Sequence, residues 1–328
     1  MRVGEMTVEL WSDKQEVEEH TLQIGPELGI GGQGRVLRIL GRSAPVVFKQ
    51  YIVPGADHSA LKTLVELPAS LQPAERERLL LLSAWPLARV MRQGQLSGFV
   101  MQEIPGHFFA ANSLGTIKAR ELQYLLYQRK PAWGDIVPEE VGVAARLAVA
   151  TECAKLINLL HSRSLVLGDV SMNNVLWAPG DPASVFLIDC DGIRRLGSRP
   201  VLPQAQTPDW DDPLQPASGP DLDTDRYKLA LLVGRVLCAA PYLRPGQELQ
   251  LVPGVPDRVA VKVRELWTQA ARPRGSRPDA WHWMTAVQGR EERPVSPPQV
   301  RARPSIPLAE MERSPGGTRP QIPMPPRP

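Results

Sequence analysis

The residues of this chain best suited to chemistry lie in Leu167-Gly168-Asp169-Val170-Ser171-Met172-Asn173-Asn174-Val175-Leu176, where an Asp and an Asn stand five positions apart. In phosphoryl transfer such an Asp accepts the proton of an attacking hydroxyl or orients it, while the amide oxygen of the Asn holds a magnesium ion. A second acidic stretch follows, Val185-Phe186-Leu187-Ile188-Asp189-Cys190-Asp191-Gly192. A hard cation bridging triphosphate oxygens needs oxygen ligands, and the end of an apolar strand fixes a carboxylate in place. Asp189 directly follows the apolar run and is the preferred ligand, with Asp191 as the alternative. Taken singly, either Asp reads as well as a turn cap.

Upstream, Gly29-Ile30-Gly31-Gly32-Gln33-Gly34-Arg35-Val36 forms a GxGxxGxV string. Glycine backbone can approach phosphate oxygens without a Cβ clash, and amides in the turn offer donors to them. In a dinucleotide-binding unit this string would open a helix, but Arg35 to Leu40 reads as a strand, so a strand-turn-strand lid is expected. Lys49 follows in Val46-Val47-Phe48-Lys49, and a later apolar strand leads to Met101-Gln102-Glu103-Ile104. Each signal is weak alone; their order and spacing together point to a nucleotide triphosphate.

The elements that must carry these residues fall into two groups. From about Thr7 to Val100 the chain reads as short β-branched runs: Thr7 to Trp11, Thr21 to Ile24, Arg35 to Leu40, Val46 to Ile52, Leu87 to Val90 and Gly98 to Val100. That predicts a small, largely antiparallel sheet. Two helical pieces interrupt it, one capped at Asp57-His58-Ser59 and stopped by Pro68, the other running from Pro73 to Leu82. After residue 104 a helical period dominates, with helices expected over Pro138 to Leu160, Thr224 to Cys238, Val259 to Ala271 and Asp279 to Val287. Two brief strands, Val175 to Trp177 and Val185 to Ile188, interrupt that half. The fold class expected is α+β. Residues 291–328 hold 11 of the 34 prolines and few large apolar side chains, which predicts a disordered tail. PxxP-like pieces around Pro294 to Pro298 and Pro320 to Pro326 could engage a partner with an aromatic groove, although a solvated tail is the better reading.

Composition narrows the partners. The 38 basic residues are scattered among 35 acidic ones for a net charge of +3, so no nucleic-acid surface is expected. Cys153, Cys190 and Cys238 lie far apart, which predicts neither a disulfide framework nor a zinc site. No run is apolar enough to predict a membrane segment or export signal, and a cytoplasmic protein is expected.

Over roughly residues 20–290 the chain resembles the protein kinase superfamily, most closely bacterial Ser/Thr protein kinases in a variant lacking the HRD motif. The resemblance rests on the glycine string, Lys49, Asp169, Asn174 and Asp189, together with Thr207-Pro208-Asp209-Trp210, Asp225 in Asp223-Thr224-Asp225-Arg226-Tyr227, and Arg277-Pro278-Asp279-Ala280-Trp281. It implies a two-lobed fold, with a β-rich lobe over 1–104 and a mainly α lobe over 105–290. It also implies ATP and Mg2+ as cofactors, bound by Gly29, Ile30, Gly31, Gly32, Gln33, Gly34 and Val36. Lys49 would sit on the α- and β-phosphates, and the backbone from Gln102 to Ile104 would read the adenine edge. Asp169 would be the catalytic base, with Asn174 and Asp189 on the metal.

Four departures from the family pattern stand out. Leu167 and Gly168 replace the His and Arg of HRD, Ser171 replaces the usual Lys, and Asp211-Asp212-Pro213 stands where APE is expected. No clear glutamate partner for Lys49 emerges; Glu66 is the candidate, with Glu75 and Glu77 behind it. The activity the resemblance implies is phosphorylation of Ser or Thr on a protein substrate. A small-molecule phosphotransferase and an inactive scaffold are the alternatives.

Overall fold

The structure is a computed structural model that describes Trp11, residues 14–204 and residues 206–290. The expected strand at Thr7, the Pro-rich tail over 291–328 and its PxxP pieces therefore lie essentially outside the described residues. The chain begins with β1 (Glu16–Glu18), β2 (Ile24–Ile30), β3 (Gly34–Ile39) and β4 (Val46–Tyr51). Helices α1 (His58–Glu66) and α2 (Pro73–Leu81) follow, then β5 (Ala88–Arg92) and β6 (Gln95–Gln102). The six strands form one sheet in the order β1-β5-β6-β4-β3-β2.

Alternation along the strands splits this sheet into two apolar faces. Val46 and Phe48 of β4 pack with Leu37, Ile39, Val90 and Val100 in a small cluster on one face. Val47, Phe99 and Met101 belong to the main core on the other face, against which Val36 and Tyr51 also pack. By the same period Lys49 shares its face with Val47 and Tyr51, so the sheet delivers a lysine to the side covered by the rest of the chain. On that side α1 is capped by Asp57, whose carboxylate accepts the Ala60 amide at 2.9 Å, and it buries Leu61, Leu64 and Val65.

The remaining elements are β7 (Phe109–Ala111), β8 (Ile117–Ala119), α3 (Gln123–Leu126), α4 (Val143–Ser162), β9 (Leu165–Val166), β10 (Val175–Ala178), β11 (Ser184–Leu187), β12 (Arg194–Arg195), α5 (Leu222–Cys238), α6 (Asp257–Ala270) and α7 (Ala280–Val287). The result is a mixed α/β molecule. β10 and β11 form an antiparallel pair, and so do β9 with β12 and β7 with β8. Helix α5 is the buried axis: from Asp223 to Leu237 every side chain except Arg226 is withdrawn from water. By contacts, the described residues form one compact unit. Among the described residues no helix is long and apolar enough to cross a membrane.

Several expectations need correction. Residues Glu19–Thr21 form a 3-10 turn, so the strand expected from Thr21 begins only at Ile24. The sheet is largely antiparallel, as expected, with β1 alone running parallel to its neighbour β5. The helix expected from Pro138 starts at Val143, because Gly142 is extended and ends the preceding loop. The helical half also holds β7, β8, β9 and β12, each too short to show an alternation in sequence.

The segment Asp211-Asp212-Pro213 is tied to the chain's C-terminal helical part by a buried ion pair. Arg277 Nη1 and Nη2 donate to the two oxygens of Asp212 at 2.7 and 2.9 Å, with both side chains at most 1% exposed. Removing one member of such a pair strands the other charge in a low dielectric. Arg277→Met is expected to cost about 3–5 kcal/mol in urea denaturation. Arg277→Met combined with Asp212→Leu should recover more than half of that loss.

Candidate active site

The glycine string closes a hairpin between β2 and β3, with Gly29 opposite Val36 and Ile30 opposite Arg35. Gly31 donates its amide to Gly34 O at 2.8 Å across the tip. The chain leaves the string as a strand and not a helix, as its β-branched continuation requires. Beneath the hairpin lies a cleft of about 640 Å³. Its walls include Gly29, Ile30, Gly31, Gly32, Gln33, Gly34, Val36 and Lys49 from the sheet, Ile104 just after it, and Asp169, Asn174 and Asp189 from the loops. Met101, Ala84, Glu121, Asp191, Leu202 and Gln204 are also among the residues that line it.

Of the residues expected at the site, Gln102 is the one whose side chain is elsewhere. Phe99 and Met101 take the cleft-side face of β6, so Gln102, one step along, is directed to the other face. Its carboxamide oxygen is buried there without a partner among the described residues. Glu66 is not the partner of Lys49 either; it pairs with Lys62 one helical turn away, and Glu75 pairs with Arg163.

Lys49 instead meets both acidic residues that follow β11. Its Nζ donates to Asp191 Oδ1 at 2.7 Å and to Asp189 Oδ1 at 3.2 Å. The two carboxylates differ sharply in environment. The Asp191 side chain is 4% exposed and also accepts from the Tyr51 hydroxyl at 3.1 Å, whereas Asp189 is 61% exposed and faces the cleft. Asp189 has left-handed backbone (φ 55°, ψ 40°), the turn that ends the strand and brings two carboxylates spaced by one residue to a single ammonium. Burial alone would depress the Lys49 pKa, but the charges of Asp191 and Asp189 outweigh it and hold the ammonium above the ordinary lysine value. Burial, reinforced by Asp191, pushes the Tyr51 phenol well up, so it remains a donor.

The backbone brings Asn174 beside this strand end: Ile188 donates its amide to Asn174 O at 2.9 Å, continuing the pairing of Val175 with Leu187. Asn174 Nδ2 donates to Asp169 O at 2.8 Å and to Asp169 Oδ2 at 2.9 Å. That leaves the amide oxygen as its acceptor atom in the cleft. Asp169 Oδ2 also accepts from the Thr207 hydroxyl at 3.0 Å, and Thr207 reaches Ser171 Oγ at the same distance. Among the described residues no group of three or more His, Cys, Asp and Glu side chains could by itself hold a metal ion. A cation here would therefore share its shell between protein oxygens and those of a ligand.

Below the loop, Gly168 has φ +79°, and a Cβ there would meet Gln204 Oε1 at 2.2 Å and Arg194 Nη1 at 2.8 Å. Arg194 donates to Gln204 Oε1 at 3.1 Å and to Pro220 O at 2.8 Å, while Gln204 Nε2 donates to Leu167 O at 2.9 Å. Burial lowers the Arg194 pKa, opposed by the charges of Asp225 and Asp221. The space over Gly168 is thus filled by side chains of the segment that follows the strand. Sequence reading passed over Tyr51, Gln204 and Lys228. Tyr51 had a signal, since it stands two residues from Lys49 on one strand; Gln204 had none, because it lies in irregular chain. No protein-family model matches this sequence, and no curated protein matches it.

Gly168→Ala is expected to cost about 1–3 kcal/mol, from its positive φ and the displaced Gln204 and Arg194. Urea denaturation with circular dichroism measures it, and a loss within 0.5 kcal/mol or so of zero would show that the loop has room to spare.

Proposed function

We propose that this protein is an ATP- and Mg2+-dependent protein kinase with a two-lobed kinase-like fold, transferring the γ-phosphate to Ser or Thr of a protein substrate. The observation that carries this proposal is the convergence of Lys49, Asp169, Asn174 and Asp189, from three separate stretches of chain, on one cleft beneath a glycine hairpin. The fit of a metal-bound nucleotide is supported by the charges of the lining. Four carboxylates, Glu121, Asp169, Asp189 and Asp191, face a single lysine, so a polyphosphate enters such a cleft favourably only with a cation that offsets the repulsion. The exposed carboxylate of Asp189 and the amide oxygen of Asn174 are the hard oxygen donors that Mg2+ requires. When bound, Mg2+ would neutralise charge on the phosphates.

The protein's own groups have separable tasks. Lys49, held by Asp191, offers a fixed ammonium to the phosphates, and the amides of the hairpin offer donors. Asp169, oriented by Asn174 and Thr207, accepts or aligns the proton of an attacking hydroxyl. A protein acceptor is favoured over a small molecule by the Thr207 to Asp212 segment, which joins Asp169 at one end to Arg277 at the other.

Incubation with radiolabelled ATP and Mg2+ should label a protein acceptor or the enzyme itself, and Asp169→Ala should lower the rate by about 10²- to 10⁴-fold. Equal labelling by wild type and variant would refute the role of Asp169, and labelling confined to a metabolite would move the acceptor to the small-molecule class. Thermal shift supplies the binding arm. Mg-ATP at about 100 times its Kd should stabilise the native state by about 2.7 kcal/mol. Asp189→Asn should reduce the part of that gain that depends on Mg2+.

A further inference from the structure

Asp169 is the central carboxylate of the proposed reaction, and the kinase pattern would give it a lysine two positions on. Here that position is Ser171, fully buried and hydrogen-bonded to the Thr207 hydroxyl, so the loop itself brings no cation to Asp169. A cation arrives from α5. Lys228 follows Asp225 by three residues, which sets both side chains on one face of the helix. Asp225 accepts the amides of Leu167 and Gly168 at 2.7 and 2.8 Å. Lys228 Nζ donates to Gly168 O at 2.8 Å and Gln206 Oε1 at 3.2 Å, and lies 3.6 Å from Asp169 Oδ1. Helix α5 therefore holds both the amide and the carbonyl of the residue that precedes Asp169.

We infer that Lys228 is a positioning residue for Asp169, supplying from the buried helix the cation that the loop lacks. This inference rests on the phosphotransfer proposed above. The Lys228 side chain is 0% exposed and that of Asp169 only 11%, so neither charge is screened by water. A buried ammonium with no counter-charge is costly. Among the described residues Asp169 is its one ion-pair partner, and Lys228 is the only cation within ion-pair distance of Asp169. The other side chains bonded to Asp169, Asn174 and Thr207, are neutral. Burial lowers the Lys228 pKa, with the charges of Asp169 and Asp225 opposing the shift, as the geometry requires. Lys228 does not line the cleft, so it acts through the carboxylate and not on the nucleotide.

The test compares wild type, Lys228→Met, Asp169→Asn and the double variant. Lys228→Met is expected to lower kcat by about 10- to 100-fold while the KM for ATP stays within about twofold, because the lost interaction serves the proton-accepting group alone. A raised KM at unchanged kcat would overturn the inference. Urea denaturation of the same four proteins reads the pair without turnover. Lys228→Met should destabilise wild type clearly more than it destabilises Asp169→Asn, and equal effects in both backgrounds would overturn the pairing. If Lys228→Met alone does not fold, recovery of a cooperative transition in the double variant is the same coupling; failure of both overturns it. A wild type without phosphotransfer would sink the proposed reaction and with it the role in it, while the denaturation cycle would still decide the ion pair.

Discussion

Three charged side chains of α5, Asp225, Lys228 and Arg235, are wholly cut off from water, and a buried charge must find partners or destabilise the fold. Each finds them in a different place. Asp225 takes the amides at 167 and 168, together with His161 Nε2 at 3.2 Å. Lys228 takes Gly168 O and the Asp169 carboxylate. Arg235 donates to Asp209 O at 2.7 Å and Leu243 O at 3.0 Å, with its guanidinium 4.7 Å from the centre of the Trp210 ring; burial pushes its pKa down to about 10. One helix thereby fixes the loop that bears Asp169 and the segment beyond Thr207. The irregular chain around the cleft can be precise because its anchors are on a rigid element in the core.

Across the cleft the same rule separates two acids one residue apart. Lys49 is buried and requires a permanent counter-charge; Asp191, equally buried and fixed by Tyr51, supplies it. Asp189 touches Lys49 as well, but it remains mostly exposed and is free to turn to another cation. The division follows from dielectric environment, since a carboxylate that is already desolvated and paired gains little from a second cation, whereas a solvated one can exchange water for a metal.

Much of this was legible in the sequence because it rests on local patterns. The glycine hairpin, the face of β4 that carries Lys49, the Asp57 cap and the apolar strand ending at Asp189 each follow from periodicity or turn chemistry within a few residues. Telling the buried Asp191 from the exposed Asp189 needed burial, which spacing does not encode. The partner of Lys49 escaped for a related reason: a glutamate on α1 was expected, but Asp191, 142 residues from Lys49, fills the role. Lys228 was readable in part, being three residues from Asp225 on a helix, yet nothing local says that this face meets residues 167–169. Gln204 was not readable at all, because its place over Gly168 depends on where the irregular segment crosses.

Three positions singled out in the sequence are completed by side chains from elsewhere in the chain. Gly168 has no side chain, and the guanidinium of Arg194 with the amide of Gln204 occupies the volume a Cβ would enter. Ser171 leaves no ammonium, and Lys228 reaches Asp169 from α5. Asp212, in a segment without regular structure, makes a bidentate pair with Arg277. Among the described residues Arg194 donates to neutral acceptors, Gln204 Oε1 and Pro220 O, which pins the segment after β12 to the loop. The loop that bears Asp169 is thus held by two sets of side chains, Gln204 through the carbonyl of Leu167 and α5 through Asp225 and Lys228, so that its position is set by the folded chain itself.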